Sequence, residues 1–206
     1  VTIIAITTSV NYADFLPHCL HCLAGHVAGC CVVTAINDAS IAVAENYGAT
    51  PLVYEGWHDN GAAFNKSGAI RYAQQRIYEA YPDAWYLLID ADTMVPTNAR
   101  EIIEQHATDP ESLYGASRVD FFTTDALLAS EPDATYGEMF AGYFQLYRRQ
   151  VLYPEWSRAA ESCDLEFAQQ FDSCRMLPMT VGHCGRPGIN WEGRRSPLWK
   201  CLPSSR

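Results

Sequence analysis

The sequence predicts one α/β domain with a largely parallel sheet, and three features carry that reading. Short β-rich runs alternate with helical stretches along the chain. Two of these runs, Thr2–Ile6 and Trp85–Ile89, are apolar without alternation, as strands covered on both faces are. The 206 residues, 49% hydrophobic and 18% charged, suffice for one domain with a sizeable core and exclude a disordered or fibrous chain.

Thr2–Ile6 is the first strand, and Asp14–Ala24 the helix after it. Cys30–Ile36 is the second strand, ending at Asn37-Asp38. Ile41–Tyr47 is a short helix closed by Gly48, the residue type that takes a left-handed C-cap without strain. Pro51–Tyr54 is the third strand. A loop from Glu55 to Gly61 opens into a helix from Ala63 to Ala80, which Pro82 ends. Trp85–Ile89 is the fourth strand and runs into Asp90-Ala91-Asp92. After Pro96 a helix covers about Thr97 to His106, and Leu113–Val119 is a strand. Phe140–Tyr147 alternates as a strand does, Cys163–Phe171 is helical, and Met176–Val181 is a last strand before His183. No repeat, low-complexity tract or linker divides the chain, so residues 1–206 form one domain.

No apolar run approaches the roughly 20 residues that cross a bilayer. The start, VTIIAITTSVNYADF, lacks the basic region of a signal peptide, so a soluble cytoplasmic protein is the expectation. Of the eight cysteines, Cys19 and Cys22 have C-x-x-C spacing with His26 and Cys30 following, a zinc-like pattern. Against zinc, Phe15, Leu16, Cys19, Leu20 and Leu23 recur at helical spacing, which places Cys19 on an apolar helix face, and the cysteines are expected to be reduced. The net charge of −10 is uneven: Arg175 to Arg206 holds six basic residues and one acid, a net of +5, which leaves −15 on the remainder. That segment is either a solvated tail or a surface for a polyanion.

In open parallel sheets, ligands collect beyond the carboxyl ends of strands. Those ends carry Thr7 and Thr8, Thr34 to Asp38, Asp90 and Asp92, and His183. Two carboxylates just past a buried strand are costly unless a positive group pairs with them, and a hard divalent cation does so while also holding a diphosphate. Chance places about 0.7 Asp-x-Asp pairs in a chain with 12 aspartates, so position and not spacing carries the signal.

The segments FNKSGAIRYA, YLLIDADTMVP, LYGASR, FAGYFQLYRR and VGHCGRPGINWEGR, in this order, resemble small metal-dependent glycosyltransferases of the A-type (GT-A, Rossmann-like) fold, near the large inverting family two. The resemblance runs from ITTSVNYADFL onward. It implies that Thr7 and Thr8 line the nucleotide pocket and that Asp38 meets the base or ribose. Asn65 and Lys66 would approach the donor, Lys66 countering phosphate charge. Asp90 and Asp92 match the metal motif, the second usually the direct ligand and the first touching ribose or sugar, and His183 completes the metal site. Asp164 fits the catalytic base. The family usually has adjacent acids there, whereas this chain reads Glu161-Ser162-Cys163-Asp164, so Glu161 is the alternative. The residues also allow plainer roles: Lys66 a solvated helix residue, His183 a core histidine, Asp164 an N-cap and Asp38 a turn residue. Trp191 and Trp199 are core residues, lids or acceptor platforms.

The implied cofactors are Mn2+ or Mg2+ and a nucleotide-sugar, a UDP-sugar by preference. The implied acceptor is a saccharide or, by likeness to phage-type transferases, a hydroxymethylated base in DNA, with action in a host cytoplasm. A sugar-phosphate nucleotidyltransferase would also use paired acids and a metal, but with a Gly-rich basic loop where this chain has TTSVNYADF. A non-catalytic nucleotide-sugar-binding module is the third class.

Overall fold

The computed structural model describes residues 1–137, 140–186 and 188–194. Four strands, β1 (Ile3–Thr8), β2 (Gly29–Thr34), β3 (Thr50–Val53) and β4 (Trp85–Leu88), run parallel in the order β3-β2-β1-β4. The sheet continues past β4 through β8 (Gln145–Tyr147), β6 (Leu113–Phe121), β9 (Cys174–Cys184) and β5 (Thr93–Met94). A short β7 (Ala134–Tyr136) pairs with the outer half of β6. β6 and β9 are parallel, whereas β8, β5 and β7 run antiparallel to their neighbours.

The unbroken apolar strands fold as they do because both faces are covered. Alternate residues of β1 enter different cores: Ile4 and Ile6 pack with Ile70, Ala73 and Ile77 of helix α3 (Lys66–Ala80). Ile3 and Ala5 pack on the other face with Cys19 and Leu23 of α1 (Leu16–Leu23) and with Ala99 and Ile103 of α4 (Ala99–His106). Helix α2 (Ser40–Asn46) ends as its sequence predicts, Gly48 taking φ +72°. No helix of the described residues is long and apolar enough to cross a membrane.

Several boundaries differ from the sequence reading. Helix α3 starts at Lys66 and not Ala63, because the Asn65 side chain caps it by accepting from Gly68 N at 3.0 Å. Of Phe140–Tyr147 only the last three residues are strand, since the preceding backbone bends around Asp164. β5, β7, a 3-10 turn at Gly56–Gly61 and helix α5 (Thr124–Ala129) are too short to show a sequence period, although Thr123, which accepts from Ala126 N, is a readable cap.

Candidate active site

A cavity of about 390 Å3 lies beyond the carboxyl ends of β1 and β4, the place expected for an open α/β sheet. Thr8, Asp90 and Asp92 come to it from those strand ends, Lys66 from the start of α3, and Asp164 from helix α6 (Cys163–Ala168). His183 reaches it from β9, and Gly188, Asn190, Trp191, Gly193 and Arg194 line it as well. A second cavity, about 510 Å3, shares Val10, Phe64, Gly193 and Arg194 with the first and is walled by Tyr54 and Trp57.

Buried Lys66 stands at the centre of a charge triad. Its Nζ is 2.8 Å from Asp90 Oδ1 and 3.4 Å from Asp164 Oδ2. Burial alone would push this ammonium down, but Asp164 and Asp90 outweigh it and hold it well above the ordinary lysine value. Burial likewise pushes Asp90 up, yet Lys66 prevails and keeps its carboxyl below the usual range. Asp164 Oδ1 lies 2.9 Å from the Tyr153 hydroxyl. Asp164 sits inside the first turn of α6 and not at its N-cap, which is Ser162.

Across the cavity, His183 Nε2 is 3.6 Å from Asp92 Oδ2, and its Nδ1 is 3.0 Å from Asp120 Oδ1. Asp120, fully buried, is met in turn by Arg118 Nε at 2.9 Å. A carboxylate only accepts, so Nδ1 carries the hydrogen and Nε2 turns toward Asp92. Toward Asp92, Nε2 presents a hydrogen when the ring is protonated and a lone pair when it is neutral, and the lone pair is unfavourable there without a cation between the two groups. Burial would push His183 down, but Asp92 and Asp120 raise it, and burial holds Asp92 above the usual carboxylate value. Two ligands each about 2.1 Å from one cation lie ~3.0–3.4 Å apart, so this pair closes on a metal with a shift of a few tenths of an ångström. The carboxylate behind the histidine is the support that metal-binding imidazoles use. Among the described residues no three His, Cys, Asp or Glu side chains converge on one cation position, so any metal here takes its remaining oxygens from ligand or solvent.

Other expected residues are placed elsewhere. Thr7 is buried on the opposite side of β1 from Thr8, its Oγ1 without a hydrogen-bond partner among the described residues, because successive strand residues point to opposite faces. Asp38 lines neither cavity: its oxygens accept from Asn11 N at 2.7 Å and Ser40 N at 2.8 Å, tying the β1–α1 loop to α2. Asn65 is spent on its cap and on Ser157 N at 3.0 Å. Lys66 is neither solvated nor unpaired, and Asp90 is bound to it rather than to His183. Glu161 is exposed on the cavity rim. The cysteines at 19, 22 and 30 form no metal cluster, and the seven described cysteines are all free thiols.

Arg194 binds Asp14 with both Nη atoms and packs over the rings of Tyr12 and Phe15, 4.9 and 4.5 Å from their centroids. Arg175 pairs with Asp109 at 2.8 Å. Arg195, Trp199, Lys200 and Arg206 lie outside the described residues. Trp191 is 44% exposed beside the cavity, so it is not a core residue. Pattern reading missed Arg118, Asp120, Gln145 and Tyr153. The first two had a signal, polar residues two apart on one face of an otherwise buried strand.

No family model matches the sequence, and no curated protein matches it. Solved structures do share its fold. S. aureus TarS gives a TM-score of 0.58 at 12% identity, covering 91% of this chain and 37% of that one. A 4-diphosphocytidyl-2C-methyl-D-erythritol synthase gives 0.53 at 15% identity, over 85% of this chain and 89% of the other. Glucosyl-3-phosphoglycerate synthase from Mycobacterium tuberculosis, solved with Mn2+, UDP and glucosyl-3-phosphoglycerate, gives 0.53 at 14% identity, over 90% and 73%. The chain has this GT-A-like α/β fold.

Proposed function

We propose that the protein is a divalent-metal-dependent glycosyltransferase that moves a sugar from a nucleoside diphosphate, UDP by preference, to an acceptor hydroxyl. The observation that carries the reading is the meeting of two charge systems at one cavity: Asp92 and His183, backed by buried Asp120, and Lys66 with Asp164. Asp92 and His183 would hold Mn2+ or Mg2+, whose chemistry is to neutralise charge on the diphosphate leaving group. Asp164 takes the proton of the acceptor hydroxyl as it attacks the anomeric carbon, a course that inverts configuration. Lys66 orients Asp164 and Asp90 together, and Asp90 keeps one oxygen for the donor sugar or ribose. The aromatic-walled second cavity, continuous in its walls with the first, takes the nucleobase.

A saccharide hydroxyl is the acceptor we favour over a DNA base. Two of the basic residues expected to face a polyanion, Arg175 and Arg194, are engaged with Asp109 and Asp14. The nucleotidyltransferase reading shares the fold but leaves Asp164 in the cavity without a task. The test is incubation with a panel of nucleotide-sugars and Mn2+, with oligosaccharides or hydroxymethylated DNA as acceptors. Released nucleoside diphosphate that depends on Asp92 supports the reading. Pyrophosphate released from a nucleoside triphosphate and a sugar phosphate favours the nucleotidyltransferase, donor binding without turnover favours a binding module, and modified DNA overturns the saccharide.

A further inference from the structure

The hydroxyl of Tyr153 has one proton and sits between two acceptors, Gln145 Oε1 at 2.6 Å and Asp164 Oδ1 at 2.9 Å. Tyr153 and Gln145 are both fully buried. The Gln145 amide cannot be turned round, because its Nε2 donates to the carbonyls of Phe140 at 2.8 Å and Asp164 at 3.0 Å, and carbonyls only accept. Oε1 therefore faces the tyrosine as a fixed acceptor. The carboxylate is confined as well. A Cβ at Gly142 would fall 2.4–2.5 Å from its atoms, so the backbone packs directly on it, and Lys66 holds Oδ2.

An ionised Asp164 is the stronger acceptor and accepts the hydrogen bond of the Tyr153 O–H, which keeps its proton. A neutral Asp164 accepts more weakly, so that proton turns to Gln145 Oε1 and the phenolic oxygen is open to the carboxyl hydrogen. In either state the buried groups are paired and no heavy atom moves. We propose that Tyr153 and Gln145 form a proton switch that lets Asp164 alternate between carboxylate and acid, both acting through Asp164 as positioning residues. The inference rests on the reading of Asp164 as the base. In transfer the acceptor O–H bond breaks, its oxygen bonds the anomeric carbon, and the bond from that carbon to the diphosphate oxygen breaks with its electron pair. The proton goes to Asp164, the Tyr153 O–H keeps its proton and turns its hydrogen bond from Asp164 Oδ1 to Gln145 Oε1, and both revert when Asp164 releases its proton to water.

The titratable groups against Asp164 are Lys66 on α3 with Asp90 behind it, Cys163 on its own helix at 3.7 Å, and Tyr153, while Glu161 lines the same cavity. Burial, aided by Asp164, pushes the Tyr153 phenol and the Cys163 thiol up, so both stay protonated across the neutral range.

The switch is read on the full chain, without any sugar donor, from the ionisation midpoint of Asp164 in 13C-aspartate-labelled protein by pH-difference infrared spectroscopy, with Asp164→Asn identifying the band. Tyr153→Phe removes the donor to the carboxylate, and the midpoint rises by about one pH unit. Gln145→Met leaves Tyr153 bound to Asp164 alone, and the midpoint falls by about one unit. Replacing Tyr153 by 3-fluorotyrosine, a stronger donor of nearly the same shape, also lowers it and serves if either variant fails to fold. Midpoints that stay in place or move in the same direction overturn the switch. Opposed midpoints support it even if no nucleotide-sugar is turned over, and that result would remove the base assignment alone. In active protein, Gln145→Met should lower kcat about tenfold with the donor KM unchanged.

Discussion

Replacing Lys66 by Met tests the charge triad without reference to any substrate. Methionine keeps much of the volume and removes the ammonium. The Lys66 side chain is 7% exposed, against 12% for Asp164 and 31% for Asp90. Removing one partner of a buried ion pair costs roughly 3–5 kcal/mol, because the charges left behind are unpaired. Water reaches nearly a third of Asp90, so the low end applies, about 3 kcal/mol. For a chain of this size 1 kcal/mol corresponds to about 2–4 °C, so Tm should fall by roughly 6–12 °C. The pH dependence has a definite sign. Asp90 is held below its ordinary value, so its contribution is present above the unfolded carboxylate value of ~3.9 and is lost as pH falls through the folded one. Lys66 is held above its ordinary value, so its contribution is present below ~10.4 and is lost only as pH rises through the raised value. The stability gap between wild type and variant should therefore be flat from about pH 5 to 9 and close below about pH 4. Urea unfolding followed by circular dichroism at several pH values measures it. A gap under about 1 kcal/mol at pH 7, or one that persists undiminished at pH 3, refutes the triad as a stabilising unit.

The other predictions concern the site. Asp92→Ala should abolish nucleoside diphosphate release while the circular dichroism spectrum stays native, and retained turnover in excess chelator would end the metal-centred reading. Asp120→Ala should weaken Mn2+ affinity about 10- to 100-fold by releasing His183, measurable by calorimetric titration, and unchanged affinity would show that His183 is no ligand. Gly142→Ala should lower kcat by up to ~100-fold through displacement of Asp164, with a smaller effect on donor KM; wild-type kcat would mean that the carboxylate moves aside freely. Arg194→Ala should raise donor KM several-fold with little change in the salt dependence of acceptor binding, since this arginine is tied to Asp14. A marked loss of salt dependence would instead return it to a polyanion surface.

Much of the frame was legible in the chain. The apolar runs of β1 and β4, the glycine after α2 and the aspartates after β4 each obey local rules that need no partner. The errors fall where a side chain has two local possibilities. Thr7 and Thr8 are chemically alike, and only the strand's facing decides which meets the cavity. Asp38 and Asn65 are polar residues at strand and helix ends, where a ligand contact and a backbone cap look the same in sequence. Tyr153 and Gln145 carried no signal, because a lone tyrosine in a loop and a glutamine opening a strand are ordinary until Asp164 is placed beside them.

The sequence by itself determined the α/β class, the ends of β1 and β4 beyond which the cavity lies, and the acidic pair at Asp90 and Asp92, because periodicity and burial act over a few neighbouring residues. The tertiary structure decided what each acid is paired with. Asp90 and Asp92 are two residues apart, yet one turns to Lys66 on α3 and the other to His183 on β9. Asp164, 98 residues from Lys66, shares its ammonium, and Asp120, 63 residues from His183, fixes its imidazole. Charges separated this far in sequence interact only when the fold removes the water between them, and no local pattern encodes that proximity.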